Sequence, residues 1–320
     1  MTFGGNGGVL VAYVVAAAVT CALTPVARRF AITTGALDQP NERKKHTSPM
    51  PTWGGLAIIA GFLVGAAAGD GVHQIPTRAL IGIVSGSLLV ALVGFVDDRL
   101  DIPAKIKLVL QIVCVTPLLF TGVTISMLSH PLLRQEQVLL PTWIAWTITI
   151  IWVVAATNAI NLIDGLDGLA AGVAAIACVA LAVIAMAWGQ LAVALMCGAL
   201  AGAAVGFLPW NWHPSSILMG DTGAYFLGYV IAGVTIQGAF KMAAAIAIFV
   251  PILVLAVPLF DTILSPVRRY LRGKPAFKAD RDHLHHRLLA MGLSAQRVVL
   301  LTYGVTAICG AIAIWISRRG

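Results

Sequence analysis

The sequence predicts an all-α, polytopic integral membrane protein, a bundle of about ten transmembrane helices forming a single domain over residues 1–320. Two observations carry that expectation. Hydrophobic residues make up 59% of the chain and charged residues 11%, where a soluble domain carries about 25% charged residues. The mean hydropathy of +0.92 is too apolar for a water-facing surface. The second observation is the recurrence of apolar runs long enough, or nearly so, to cross a hydrocarbon core. They lie at 9–27, 53–69, 79–96, 106–123, 142–157, 171–188, 190–208, 223–239, 242–260 and 297–316. Gly and Ala are abundant inside them, which lets helices approach closely in lipid. A soluble enzyme, a nucleic-acid binder and a disordered tail are all excluded.

The first run is expected to be a retained span. MTFGGNGG carries no Lys or Arg ahead of Val9, and a cleavable signal needs that basic region. The five cysteines (Cys21, Cys114, Cys178, Cys197, Cys309) each lie in an apolar run without a CxxC pair. They read as small buried hydrophobes rather than disulfides or a zinc site.

Charge sets the orientation. There are 21 basic and 13 acidic residues, a net charge of +8. If connections alternate between two faces, 16 of the 21 basic residues fall on the face holding 28–52, 97–105, 158–170, 209–222 and 261–296, with Lys107 and Arg297 at its edges. Lys and Arg concentrate on the cytoplasmic side, so this face is expected to be cytoplasmic with both termini outside. Eleven of the 13 acids fall there too. Topology does not require acids there, and carboxylates at a membrane edge are costly unless solvated, paired or bound to metal. A site on the cytoplasmic face is therefore expected.

Five segments carry its chemistry. The first is Gly94-Phe-Val-Asp97-Asp98-Arg-Leu-Asp101, followed by Lys105 and Lys107. Adjacent aspartates point different ways on a helix, and either can share a direction with Asp101. Such a group can hold Mg²⁺ or Mn²⁺, or be a solvated helix end with Asp–Lys pairs. The second runs from Asn158 through Asn161, Asp164 and Asp167 to Gly168. If helical, it forms one polar stripe, either a functional surface or an inter-helix hydrogen-bond seam; hydroxyls would make the cheaper seam. The third is Met219-Gly220-Asp221-Thr222-Gly223, a tight turn holding Asp221 at a helix N-terminus. There it can hold metal while backbone N–H groups face phosphate.

The fourth is the basic loop Arg268–Arg287 with Asp280, Arg281, His283, His285 and His286. Its histidines suit a metal, but its arginines favour phosphate, and an amphipathic membrane-surface helix is the alternative. The fifth is Asn41–Gly55, where Lys45 and His46 precede a Pro- and Gly-shaped turn. Trp53, Trp210 and Trp212 sit at span ends, where interfacial anchoring is the usual role.

In order and side, these segments make the chain resemble the polyprenyl-phosphate N-acetylhexosamine-1-phosphate transferases. The matching residues are Lys45-His46 to Gly55, Asp97-Asp98 with Lys107 and Gln111, Asn158 to Gly168, Gly220 to Gly223, and His283-Leu-His285-His286. The resemblance implies Asp221 as a Mg²⁺ ligand, with Asp164 also at the metal. It implies Asp97 and Asp98 near the lipid phosphate or metal, Lys107 beneath them, and Asn158, Asn161, Asp164 and Asp167 near nucleotide and metal. It further implies that Lys45, His46, Arg281, His283, His285 and His286 bind substrate. Asp97, Asp98, Lys107, Asp164 and Asp167 are the expected catalytic set. The His-Leu-His-His run preceded by Asp280-Arg281 resembles the branch that uses UDP-N-acetylglucosamine or a related UDP-N-acetylamino sugar, rather than the peptidoglycan enzyme with its three consecutive histidines. No long insertion of the dolichol-using kind is present, which points to undecaprenyl phosphate as acceptor. A bacterial plasma-membrane location and a homodimer are further implications.

The nearest rival is the phospho-N-acetylmuramoyl-pentapeptide transferase of peptidoglycan synthesis, separated by the histidine run alone. An ion-coupled transporter would place its carboxylates near mid-membrane, not at span ends. A membrane prenyltransferase would leave the GDTG and HLHH segments without a role.

Overall fold

A computed structural model describes residues 5–39, 49–69, 77–129, 137–239, 252–260 and 284–318. It is an all-α, polytopic membrane protein. The helices are α1 (Gly5–Thr34), α2 (Gly55–Ala68), α3 (Thr77–Leu100), α4 (Ala104–Thr121), α5 (Thr142–Ile163), α6 (Leu169–Ala187), α7 (Leu191–Asn211), α8 (Gly220–Ala239), α9 (Leu284–Ala290) and α10 (Ala295–Ser317). Among the described residues seven of these are long and apolar enough to cross a membrane: α1, α3, α4, α5, α6, α7 and α10. The expected span 53–69 is the shorter apolar helix α2, and 223–239 lies in α8. Of 242–260, only 252–260 is described.

The centre of the bundle is the run α6–α7–α8. Most of α6 and α7 is buried, whereas α1, α4 and α10 keep broad apolar faces outward. α1 packs along α7 and α2, α3 and α5 pack along α8, and α10 packs on α6. The α1–α7 seam is built from Gly198, Gly202 and Gly206, one every four residues along α7. A Cβ at any of them would run into the backbone of α1 at Val9, Tyr13 or Ala17. Small residues at that spacing let van der Waals contact between backbones replace the hydrophobic drive that lipid removes.

Two short ribbons interrupt the helical pattern. β1 (Leu37–Asp38) pairs antiparallel with β2 (Met50–Pro51), and β3 (Met127–Ser129) with β4 (Gln137–Leu139). The sequence showed neither, because two- and three-residue strands leave no period to read. The first ribbon flanks 40–48, which lie outside the described residues.

Helix breaks set the site. α3 ends where Asp101 takes a φ of +49°, a conformation Asp tolerates better than most residues. Pro103 then caps α4, since proline suits a helix start and cannot continue one. Gly168, at a φ of +77°, turns the chain from α5 into α6.

Candidate active site

Four helix ends meet at one end of the bundle. α3 brings Asp97 and Asp98, α4 brings Lys107, α5 brings Asn158 and Asn161 with Asp164 just past its end, and α8 brings Asp221 in its first turn. As adjacent residues on a helix must, Asp97 and Asp98 face different neighbours. Asp97 is buried. Its Oδ2 lies 2.6 Å from Lys107 Nζ, and its Oδ1 accepts the Ile102 N–H at 2.8 Å. The hydroxyl of Tyr225, one turn into α8, donates to Asp97 Oδ2 at 3.4 Å.

Asp98 turns the other way and caps α8 across the helix interface. Its Oδ1 accepts the Asp221 N–H at 2.7 Å, and its Oδ2 accepts the Thr222 N–H at 3.2 Å and the Thr222 hydroxyl at 2.7 Å. A helix N-terminus leaves its first N–H groups without helical partners, and a carboxylate satisfies both charge and geometry there. Gly220 makes the approach possible: it holds a φ of +74°, and a Cβ on it would stand 2.5 Å from Asp98 Oδ2. This overturns one expectation. The Asp221 and Thr222 N–H groups do not face phosphate, because Asp98 already takes them.

Asp221 is shared by three helices. Its Oδ1 accepts from Asn161 Nδ2 at 2.7 Å, and its Oδ2 lies 3.8 Å from Lys107 Nζ. One ammonium thus stands between two carboxylates. Asn158 makes a reciprocal amide pair with Gln111, at 2.6 and 3.4 Å. It is a seam between α4 and α5, the alternative weighed for this stripe, and it backs Lys107 from one turn deeper.

The stripe Asn158–Asn161–Asp164 ends with α5. Burial first, and then the facing carboxylates Asp221, Asp98 and Asp167, push Asp164 well above the usual carboxylate range. Asp167 is not on the same helical face, since α5 stops at Ile163. Its Oδ1 accepts the Ser215 hydroxyl at 2.8 Å, and its Oδ2 meets His213 Nδ1 at 2.8 Å and the Ser215 N–H at 3.2 Å. Asp167, expected in the catalytic set, is thus bonded to the 213–215 connection.

Other placements differ from expectation. Asp101 is exposed, and its left-handed backbone turns it out of the helix that carries Asp97 and Asp98. Trp53 is no interfacial anchor. It is 1% exposed, stacks on Phe95 at 4.1 Å between centroids, and its Nε1 has no hydrogen-bond partner among the described residues. Trp210, partly buried, is tied to α1 through the Cys21 carbonyl, and Trp212 is exposed. Lys45, His46, Arg281 and His283 lie outside the described residues. His285 and His286 lie on α9, their side chains outside what is described. The described residues 51–55, which follow the Lys45–His46 segment in the chain, reach the site. The Gly54 and Gly55 N–H groups donate to the Leu218 and Met219 carbonyls, and the Leu218 N–H returns to Pro51, so 51–55 runs beside the entry to Asp221.

Sequence reasoning passed over Tyr225, Asn211, His213, Ser215 and Tyr303. Tyr225 was findable four residues after Asp221, one turn along the same helix face. The others act from connections and from α10, where no spacing rule links them to the site.

The donor set is oxygen-only: Asp97, Asp98, Asp164 and Asp221 gather at one edge, and Lys107 pairs with Asp97 and Asp221 alone among the described residues. That excess of negative charge fits a hard divalent cation. Among the described residues no three such groups are already gathered as a cation cage, and Lys107 stands where Asp97 and Asp221 come together.

Comparison with known proteins agrees with this arrangement. Residues 80–239 match glycosyl transferase family 4. The chain is 39% identical, over 96% of its length and 84% of the relative's, to a probable undecaprenyl-phosphate N-acetylglucosaminyl 1-phosphate transferase of Bacillus subtilis. It is 34% identical, over 95% of its length and 82% of the relative's, to a decaprenyl-phosphate N-acetylglucosaminephosphotransferase of Mycobacterium tuberculosis. It is 30% identical, over 90% and 79%, to an undecaprenyl-phosphate alpha-N-acetylglucosaminyl 1-phosphate transferase of Yersinia pestis. With the site residues Asp97, Asp98, Lys107, Asn158, Asn161, Asp164 and Asp221 all inside the matched stretch, the chain belongs to glycosyl transferase family 4.

Proposed function

We propose that this protein transfers N-acetylglucosamine 1-phosphate from UDP-N-acetylglucosamine to undecaprenyl phosphate, releasing UMP, as the first membrane step of a bacterial envelope glycan. The observation that carries the proposal is the convergence of Asp97, Asp98, Asp164, Asp221 and Lys107 from four helix ends at one edge of the bundle. The names of the relatives support the donor and the lipid class. The basic connections support a cytoplasmic location, where the UDP-sugar is available.

In this reaction an oxygen of the lipid phosphate forms a bond to the β-phosphorus of the UDP-sugar. The bond from that phosphorus to the bridging oxygen breaks, and the electron pair leaves with UMP. Both partners are anions, so the site must offset repulsion. Lys107, 2.6 Å from Asp97 and 3.8 Å from Asp221, brings its ammonium to the phosphates and stays charged through those carboxylates. When bound, Mg²⁺ or Mn²⁺ supplies further positive charge on the diphosphate and on the leaving phosphate; Asp221 and Asp164 are the residues to hold it. Asn161 fixes one oxygen of Asp221 and leaves the other facing Lys107. A phosphate monoester loses its second proton near pH 6, so no strong base is needed. Asp97 and Asp98 therefore orient, Asp97 through Lys107 and Asp98 through the start of α8.

The test follows UMP release from purified protein in detergent with undecaprenyl phosphate and UDP-N-acetylglucosamine, with and without Mg²⁺. Mg²⁺-dependent UMP and a lipid-linked sugar, both lost in Asp221→Asn, are expected. UMP from the UDP-muramoyl-pentapeptide alone would transfer the protein to the peptidoglycan reaction. Silence with every UDP-sugar would refute a transferase and return the site to ion-coupled transport.

A further inference from the structure

Lys107 stands near the start of α4, and α4 packs along α3 and α5. The outward side of α4 is bare: Ile106, Val109, Val113 and Phe120 are all exposed. Lys107 lies 3.8 Å from Asp221, a residue of α8. An ammonium on a flexible four-carbon stem is a loose tether, so that pair alone does not fix one helix against the other. One turn deeper, Gln111 ties α4 to Asn158 of α5. A second turn deeper, α8 itself reaches α4. The buried Tyr229 donates its hydroxyl to the Cys114 carbonyl at 2.9 Å.

We infer that Tyr229 is a positioning residue, a strut whose phenol holds the helix carrying Lys107 at a set distance from the helix carrying Asp221. This rests on the proposed transferase reaction only in taking Lys107 to act on the phosphates. The levels match. Both helices start at the site; Cys114 lies about 10.5 Å along α4 from Lys107, and Tyr229 about 12 Å along α8 from Asp221, at about 1.5 Å per residue. Two local features fit a strut. α3 is notched where the phenol passes, because a Cβ on Gly86 would run into the Tyr229 hydroxyl. α4 is also loosened where it is gripped. Pro117 has no N–H to give the Val113 carbonyl. The Thr116 hydroxyl donates to that carbonyl instead, at 2.7 Å, and Tyr229 takes the next one along. Phenylalanine would fill nearly the same space without the bond, so the hydroxyl is the feature that needs a role.

A bond that only adds stability and one that places Lys107 differ in how Tyr229→Phe combines with Lys107→Met. The experiment measures UMP release with UDP-N-acetylglucosamine, undecaprenyl phosphate and Mg²⁺ for the wild type, each single variant and the double variant. Amide hydrogen exchange is followed in α4 across 104–112 and in the remote helix α10. In the wild-type background Tyr229→Phe lowers kcat about fivefold, the worth of one neutral hydrogen bond. In the Lys107→Met background it lowers kcat by less than about twofold, since no ammonium is left to place. Exchange in 104–112 quickens about fivefold in Tyr229→Phe, two turns from the missing hydroxyl, while α10 exchanges as in the wild type. Equal losses of kcat in both backgrounds would make Tyr229 a stabilising contact and overturn the inference. So would wild-type kcat in Tyr229→Phe, or exchange that quickens alike in α4 and α10. If Lys107→Met gives no measurable turnover, Lys107→Arg takes its place in the cycle, with the same outcomes. A silent wild type would refute the transferase reading instead, and the exchange comparison alone would then decide the strut.

Discussion

Replacing Asp98 tests whether the paired aspartates act on substrate or on the protein. Asp98 accepts three hydrogen bonds from the start of α8: the Asp221 N–H, the Thr222 N–H and the Thr222 hydroxyl. Asp98→Ala leaves two helix N–H groups unpaired at a buried interface. Loss of a helix cap costs about 1–2 kcal/mol, and an unsatisfied buried donor costs about 1–3 kcal/mol. A destabilisation of about 3 kcal/mol follows, or a fall of about 6–12 °C in Tm at the slope of a larger domain. Because the same bonds aim Asp221, kcat falls with stability, by about 100-fold. Asp98→Asn is intermediate, since its oxygen still accepts one N–H while its amide group meets a second donor. The assay pairs UMP release with unfolding followed by tryptophan fluorescence in detergent. An Asp98→Ala protein with wild-type Tm and no turnover would refute the reasoning and make Asp98 a group that acts on substrate.

Three further outcomes follow from the same geometry. Lys107→Met strands Asp97 and Asp221 without their shared ammonium, and kcat/KM for the UDP-sugar falls about 100- to 1,000-fold; turnover within a few-fold of wild type would remove Lys107 from the reaction. Without a divalent cation, stability falls as pH rises from the Asp164 unfolded value of 3.8, because the raised folded value means the folded state holds the proton more tightly. Asp164 contributes a slope of at most about 1.4 kcal/mol per pH unit; Tm measured against pH in EDTA shows it, Asp164→Asn makes the profile shallower, and a flat wild-type profile counts against the carboxylate crowd. Gly220→Ala costs more than the left-handed strain of about 1–2 kcal/mol, because its Cβ meets the Asp98 carboxylate. Gly189→Ala, at a φ of +67° with open space around it, costs the strain alone, and equal Tm shifts for the two would deny the contact.

The fold was legible wherever apolar length decides it. A run such as 171–188 has one solution in lipid, a helix that satisfies its own backbone, and α6 occupies Leu169–Ala187. The ribbons pairing 37–38 with 50–51 and 127–129 with 137–139 were not legible, because strands of two and three residues leave no period to read. Trp53 shows a different failure. A tryptophan at a span end reads as an interfacial anchor by frequency, but here Phe95 from α3 and Ala31 from α1 enclose it, and which helices close over a ring is decided by tertiary packing.

The site was legible in composition and not in division of labour. Sequence singles out Asp97, Asp98, Asp164, Asp167 and Asp221 because carboxylates are expensive at a membrane edge, but that cost is met in two ways. Asp98 and Asp167 are bound to the backbone of the connection leading into α8, one at each end of 213–222. Asp97 and Asp221 remain on Lys107, and like charge crowds Asp164. The residue type is the same in both groups; what separates them is whether the backbone N–H groups of 213–222 lie within reach, and that depends on where helices α3, α5 and α8 stop. A cluster of aspartates in one chain can thus hold its own frame and face a polyanion, and the two duties part in experiment. Asparagine keeps much of the first, since an amide oxygen still accepts an N–H, and loses the second, since it carries no charge to set against a cation.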